Sequence, residues 1–434
     1  MGTEIIADAQ PARPKWLDLL QGIGPGLVVA LGSLGPRDIV SNSVAGSTAG
    51  YGLLWVLLVS LVIRLTMLDA SARYVMVSGE TLLGGCGRFG RPVVLTWTVV
   101  TVLRRHVNEL LTLTLLGAAG HMILPLPVRH SPLIWGLASW IAAFVLVWWG
   151  RYNAVEKLSK PLTILTGACV AVTAILSKPD LGRLVSGVLH PVLPTDRTAY
   201  GPWLVVMGVL AATMGTFSSV RYAAFVHEKG WRSIEYARRQ RVDLLTSVLG
   251  MFLILALMQI AAAGALQPRG IQVKRLEDLA PIFGAIFGRG GVILFGLTLW
   301  CVTFSGCVAT ASAYGIIVSD VFHRFVKPSR ALIEDGQGAG TLPAYRWMIL
   351  YLFVSPTYVL LTNWSAVTLV FVVGAVNLIS VPFIALLILR LTGDRKIMGR
   401  HVNGWFTNTV LVAAVFCSVF LAWRGMLDLI KGAR

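Results

Sequence analysis

The chain is 434 residues long; hydrophobic side chains make up 56% of it, charged ones only 13%, and the mean hydropathy is +0.74. A soluble fold could not hide that much apolar surface, so the composition excludes a water-soluble globule, a disordered chain and a secreted disulfide framework. The formal net charge of +17 does not point to nucleic acid, because the basic residues punctuate long apolar runs and form no cluster. The expected solvent is the lipid bilayer.

From the N-terminus, residues 1–16 are polar, with no apolar stretch leading to a cleavage site, and read as a cytoplasmic tail. A window of roughly 19 residues then finds eleven candidate membrane helices. They fall at 17–49, 51–78, 92–123, 132–150, 160–177, 202–226, 243–266, 281–320, 344–362, 364–391 and 405–423. The eighth is too long for one crossing, and its part before Gly290 reads as re-entrant or peripheral. Gly288-Arg289-Gly290-Gly291 inside it reads as a turn. Residues 321–343 carry the Gly-rich stretch 335–340, a flexible linker by composition. Five cysteines, Cys86, Cys169, Cys301, Cys307 and Cys417, lie in or beside apolar segments without metal-cluster spacing and read as packing residues. With the N-terminus inside, nineteen Lys and Arg fall in inner segments and eleven in outer ones. That bias sets the N-terminus in the cytoplasm, and eleven spans put the C-terminus outside; in a bacterium the membrane would be the inner (plasma) membrane.

Two spans contain helix-breaking sequence near their middles, which a bilayer tolerates only where protein or a polar cavity satisfies the freed backbone groups. In the first span the break is Gly32-Ser33-Leu34-Gly35-Pro36-Arg37-Asp38; in the sixth it is Thr213-Met214-Gly215-Thr216-Phe217-Ser218-Ser219. Five spans separate them, so they occupy corresponding places in two five-helix halves of opposite orientation. The expected architecture is an all-α integral membrane protein with an inverted 5+5 repeat: a first repeat over 17–177, a second over 202–391, and helix 11 with its tail over 392–434. Such paired breaks form the substrate site of inverted-repeat secondary transporters.

The motifs around these breaks resemble those of the Nramp (natural resistance-associated macrophage protein) family of divalent-metal transporters. Gly24-Pro25-Gly26, then Pro36, Ala45-Gly46 and Gly52-Leu53-Leu54-Trp55-Val56-Leu57-Leu58 follow the family's GPG…DPGN…AG…GLLWVLL run in order and spacing. Asp394-Arg395-Lys396-Ile397-Met398-Gly399 with Asn403 is similar to its DRKxMGxxxN signature. The resemblance implies the broken-helix fold of sodium-coupled amino-acid transporters, alternating access, and a metal held by the Asp and Asn of DPGN and by the Met of the sixth helix. Here the DPGN positions read Gly35, Pro36, Arg37 and Asp38; Met214 matches the Met, and Arg221 falls at a His position. The family's third-helix Asp and Glu fall on Leu111 and Thr114.

Asp38 and Met214 could supply part of a divalent-ion site, but Arg37 adjoins Asp38. Like charges a few ångströms apart repel by roughly 4 kcal/mol at an effective dielectric near 20. Arg37 and Arg221, with the hydroxyls of Thr216, Ser218 and Ser219 and the half-helix N-termini, suit an anionic, zwitterionic or metal-complexed solute. Arg37 and Asp38 neutralising each other in a closed site is the bland alternative. In the second span Asp69 and Arg73 are spaced to meet on one helix face, as are Arg105 and Glu109 in the third. Glu109 and His106 are candidates for a proton or counter-ion route, against a structural pairing. The leading expectation is therefore a transporter with a remodelled site around Gly35, Arg37, Asp38, Met214, Thr216, Ser218, Ser219 and Arg221. Proton-coupled divalent metal transport through Asp38 and Met214, and a non-transporting membrane sensor or scaffold, are the alternatives. No cofactor is expected. No enzyme is expected either, since nucleophile-elbow, HExxH and P-loop motifs do not occur.

Overall fold

The structure is a computed structural model and describes residues 35–149, 165, 167–193, 200–214, 216–322, 343–362 and 364–432. The expected first half of helix 1 and the Gly-rich linker lie outside the described residues. Among those described, the regular structure is entirely helical. In chain order the helices are α1 Pro36–Ala49, α2 Leu54–Ser78, α3 Arg91–Ile123, α4 Ser131–Trp149, α5 Gly167–Leu176 and α6 Leu181–Leu189. They continue as α7 Pro202–Met214, α8 Thr216–Glu228, α9 Ala237–Ala265, α10 Ala280–Val321, α11 Pro343–Val354, α12 Ala366–Gly393 and α13 Trp405–Gly432.

Among the described residues, eight stretches are long and apolar enough to cross a membrane: α2, α4, α7 with α8, α9, α10 from Gly288, α11 with its 3-10 continuation, α12 and α13. The third expected span is present as the 33-residue α3, but Arg91, Arg104, Arg105 and Glu109 interrupt its apolar surface. Within the described residues, α1 and α5 cover only part of their expected spans.

Helix α1 sits at the centre of the bundle, against α7 and α9, while α2 packs on α7, α8, α9 and α12. On the other side α3 is held between α4, α10 and α12, and α13 lies on α12 and α7. The burial of α1 is unusual for its composition, since Ser41, Asn42, Ser43 and Ser47 are all buried. Each donates a side-chain hydrogen bond to the backbone of its own helix. Ser43 Oγ donates to Ile39 O at 2.8 Å, Ser47 Oγ to Val44 O at 2.9 Å and Asn42 Nδ2 to Asp38 O at 2.8 Å. Back-bonding of this kind lets a polar helix run at membrane depth without exposing donors to hydrocarbon.

The reading of 288–291 as a turn is corrected by the structure. Only Gly288 leaves helical geometry, at φ 54 and ψ −141, and the helix resumes at once. A residue without Cβ adopts that conformation at no steric cost, so α10 kinks instead of ending. The segment before Gly290, expected to be re-entrant or peripheral, is helical from Ala280 up to this kink.

The signature near the C-terminus has a structural task. Asp394 Oδ1 accepts the N–H of Lys396 at 2.8 Å, and Asn403 Nδ2 donates to Thr392 Oγ1 at 2.7 Å. Asn403 Oδ1 in turn accepts from Arg73 at 2.8 Å, tying the loop after α12 to α2. This corrects the expected Asp69–Arg73 contact: Asp69 instead lies 3.7 Å from Arg241 of α9, because partners on neighbouring helices fix both side chains better than the flexible intrahelical pair.

Gly46 marks the closest approach in the core. A Cβ there would stand 2.3 Å from the carbonyl oxygen of Gln259 and 2.8 Å from Ala262 Cβ on α9. Gly46→Val is expected to destabilise the detergent-solubilised chain by about 1–3 kcal/mol, the usual effect of overpacking, seen as a lower unfolding temperature. An unchanged unfolding temperature would refute the close α1–α9 contact.

Candidate functional site

Gly35 is extended, at φ −87 and ψ 153, and Pro36 opens α1 with its φ already set for a helix. Asp38 reaches back, its Oδ2 accepting the Gly35 N–H at 2.9 Å. Its other oxygen is 3.8 Å from the Arg37 guanidinium. Asp38 thus caps its own helix and is only loosely paired with its neighbour, although it is 5% exposed.

The second break lies between α7, which ends at Met214, and α8, which starts at Thr216; Gly215 falls outside the described residues. Arg64, projecting from α2, donates from NH1 to Thr213 O at 2.9 Å, and its NH2 reaches Ser218 Oγ at 3.4 Å. One buried guanidinium therefore joins α7 to α8. The charges of Asp38, Arg221 and Arg37 lie close enough to act on it.

Around these contacts Asp38 Oδ1, Asn42 Oδ1, Arg37 Nε, Arg64 Nε and Ser219 Oγ are buried and have no hydrogen-bond partner among the described residues. Each such group costs on the order of 1–3 kcal/mol if left dry, so the region suits a polar solute. Met214 is buried at the end of α7, whereas Arg221 is exposed on α8. The expected residues at the two breaks are thus gathered around Asp38 and Arg64, with Arg221 at the margin. The side chain of Thr216 is outside the description.

A second polar cluster joins α3, α10 and α12. Arg104 NH1 donates to Asn377 Oδ1 at 3.0 Å, its other end to the Tyr314 hydroxyl, and Asn108 Nδ2 shares the same Asn377 oxygen at 3.3 Å. Arg104 is also near enough to Arg37 for their charges to interact. Arg105 and Glu109 form the expected i,i+4 ion pair, with Glu109 only 1% exposed and Cys307 of α10 beside them. His106 turns elsewhere. Its Nδ1 is 2.8 Å from Ser355 Oγ and its ring stacks on Tyr358. The structure therefore gives Glu109 and His106 separate partners.

Arg64 lies within the second expected span and was not among the residues expected at the site. The signal was available: no acid lies three or four residues away on α2, so its partner had to come from another helix. Asn377 and Tyr314 gave less, being uncharged polar side chains whose partners lie on another helix.

No group of three or more His, Cys, Asp or Glu side chains capable of holding a metal occurs among the described residues. At the breaks the donors within reach are Asp38, Met214, hydroxyls and backbone carbonyls.

Comparison with known proteins places this geometry in context. The sequence profile of the natural resistance-associated macrophage protein-like family, Nramp, matches residues 26–428. A divalent metal cation transporter MntH of Aeromonas hydrophila subsp. hydrophila is 28% identical over 419 residues, covering 93% of this chain and 94% of its own. An MntH of Nostoc sp. is 24% identical, covering 94% and 91%. Among solved structures, the manganese transporter of Eremococcus coleocola superposes with a TM-score of 0.72 at 16% identity, over 96% of this chain and 88% of that one. Mhp1, a nucleobase-cation-symport-1 family transporter, gives 0.57 at 12% identity, over 93% and 92%.

The buried Arg105–Glu109 pair yields a thermodynamic test. Glu109→Leu alone strands a buried guanidinium and is expected to cost roughly 3–5 kcal/mol, whereas adding Arg105→Met should recover most of it. Unfolding of the two single variants and the double variant in detergent measures this; equal losses for Glu109→Leu and the double variant would show that the pair does not act as a unit.

Proposed function

The chain belongs to the natural resistance-associated macrophage protein-like (Nramp) family of membrane transporters, and on that premise we propose that it is a secondary-active transporter of divalent metal ions. The relatives it matches are transporters, not enzymes. The observation that carries the proposal is a likeness covering 93% of this chain and 94% of a named divalent metal cation transporter. The proposed architecture is eleven spans in an inverted 5+5 repeat, with a cytoplasmic N-terminus and an external C-terminus. Transport proceeds by alternating access around the two breaks, and an inward proton gradient drives it. In this reading Asp38 and Met214 contribute a hard and a soft ligand, while the Thr213 carbonyl stays with Arg64. Binding weakens the cap that Asp38 places on the Gly35 N–H, which couples the ion to the start of α1.

A specific observation favours a second reading. Arg37 and Arg64 are both buried or nearly so around Asp38, with Arg221 close by. At an effective dielectric near 20 each guanidinium opposes a cation by about 4 kcal/mol per unit charge at 4 Å. The same groups favour an anion, a zwitterion or a metal already complexed by an anionic ligand, whose negative groups the guanidiniums would bind.

Manganese uptake into proteoliposomes with an imposed pH gradient tests the first reading. It predicts saturable uptake that falls at least tenfold in Asp38→Asn and Met214→Ala. Absence of uptake in the native chain would contradict it. Uptake of an anionic metal chelate, lost in Arg37→Ala and Arg221→Ala, is the outcome expected from the second; mutants that keep full uptake of the chelate would remove its support.

A further inference from the structure

Near the end of α7 a protein cation already sits among groups that would suit an ion. The Arg64 guanidinium donates to Thr213 O at 2.9 Å, reaches Ser218 Oγ at 3.4 Å, and lies close enough to the buried Asp38 carboxylate for their charges to interact; Met214, next in sequence to Thr213, is buried. Arg64 is 7% exposed and permanently charged, and its two contacts fasten α7 to α8. Asp38 Oδ1, 3.8 Å from the Arg37 guanidinium, has no hydrogen-bond partner among the described residues, so an acceptor remains available in the same region.

We propose that Arg64 is a tethered cation at the helix break and is the residue that sets the site's selectivity, holding down its affinity for free metal ions. An incoming divalent ion meets an occupied carbonyl and a fixed positive charge, and must displace the guanidinium or bind at a distance from it. A solute bearing a negative group meets a ready donor. This rests on the reading of the breaks as the substrate site and adds to it the group that decides which charge enters. The geometry also gives Arg64 a mechanical role. Any movement of α8 relative to α7 must stretch or exchange the Arg64–Ser218 contact, the longer of the two.

The test is manganese binding by isothermal titration to the purified chain in detergent, comparing native protein with Arg64→Gln and Arg64→Lys. Gln retains an N–H donor for the Thr213 carbonyl without the charge, and Lys retains the charge without the fork. The expected result is at least tenfold tighter manganese binding in Arg64→Gln and native-like weak binding in Arg64→Lys. If the Gln variant does not fold, Arg64→Met, of similar length and without charge, replaces it with the same expectation. Native-like affinity in a folded neutral variant, or native protein that already binds manganese as tightly as that variant, would overturn the proposal. The uptake assay fails separately: a native chain that transports manganese while the neutral variants bind it no better keeps the transport reading and loses this one. A native chain without uptake whose neutral variant gains tight binding does the reverse.

Discussion

A charge buried inside a bilayer must find its polar partners within the protein, and that demand organises the centre of this molecule. The guanidinium of Arg64 crosses from α2 to the Thr213 carbonyl of α7 and the Ser218 hydroxyl of α8. Once this charge is in place the neighbourhood follows. Asp38 has reason to remain beside it, α1 must be polar enough to bring that carboxylate to the core, and the serines of α1 satisfy themselves against their own backbone. α1 can then approach α9 closely enough that Gly46 has no room for a side chain.

The same constraint separates the chain from the family pattern it otherwise follows. Where the family supplies Asp and Asn to a metal, this sequence has Gly35, Arg37 and Asp38, with the carboxylate moved three residues along a helix that it then caps. The ligands left for a bare ion are fewer, and the positive groups around them more numerous. The likeness of fold and the altered charge at the breaks therefore bear on different links: the first on how the molecule moves a solute, the second on which solute it selects.

Much of the architecture was legible in the sequence because bilayer and backbone impose strong, periodic demands. The apolar stretches gave eight of the expected spans among the described residues, Pro36 gave the start of α1, and the interruption expected after Thr213 falls where α7 gives way to α8. The i,i+4 spacing gave Arg105 with Glu109, since one helix fixes both residues. Contacts between helices were harder to read. Asp69 and Arg73 share the same spacing but reach Arg241 and Asn403, and His106 meets Ser355, because tertiary neighbours outbid local ones where they offer better-held partners. Arg64 has no acid three or four residues away on its helix, and its destination is a backbone carbonyl, which no side-chain pattern announces.

The most direct measurement is an experimental structure of the nanodisc-embedded chain in manganese-containing buffer, read at the end of α7. The account predicts density for the Arg64 guanidinium on the Thr213 carbonyl, with the helix interrupted there and Asp38 close by. A manganese ion on that carbonyl with Arg64 turned away, or an α7 and α8 that run on as one unbroken helix, would contradict it.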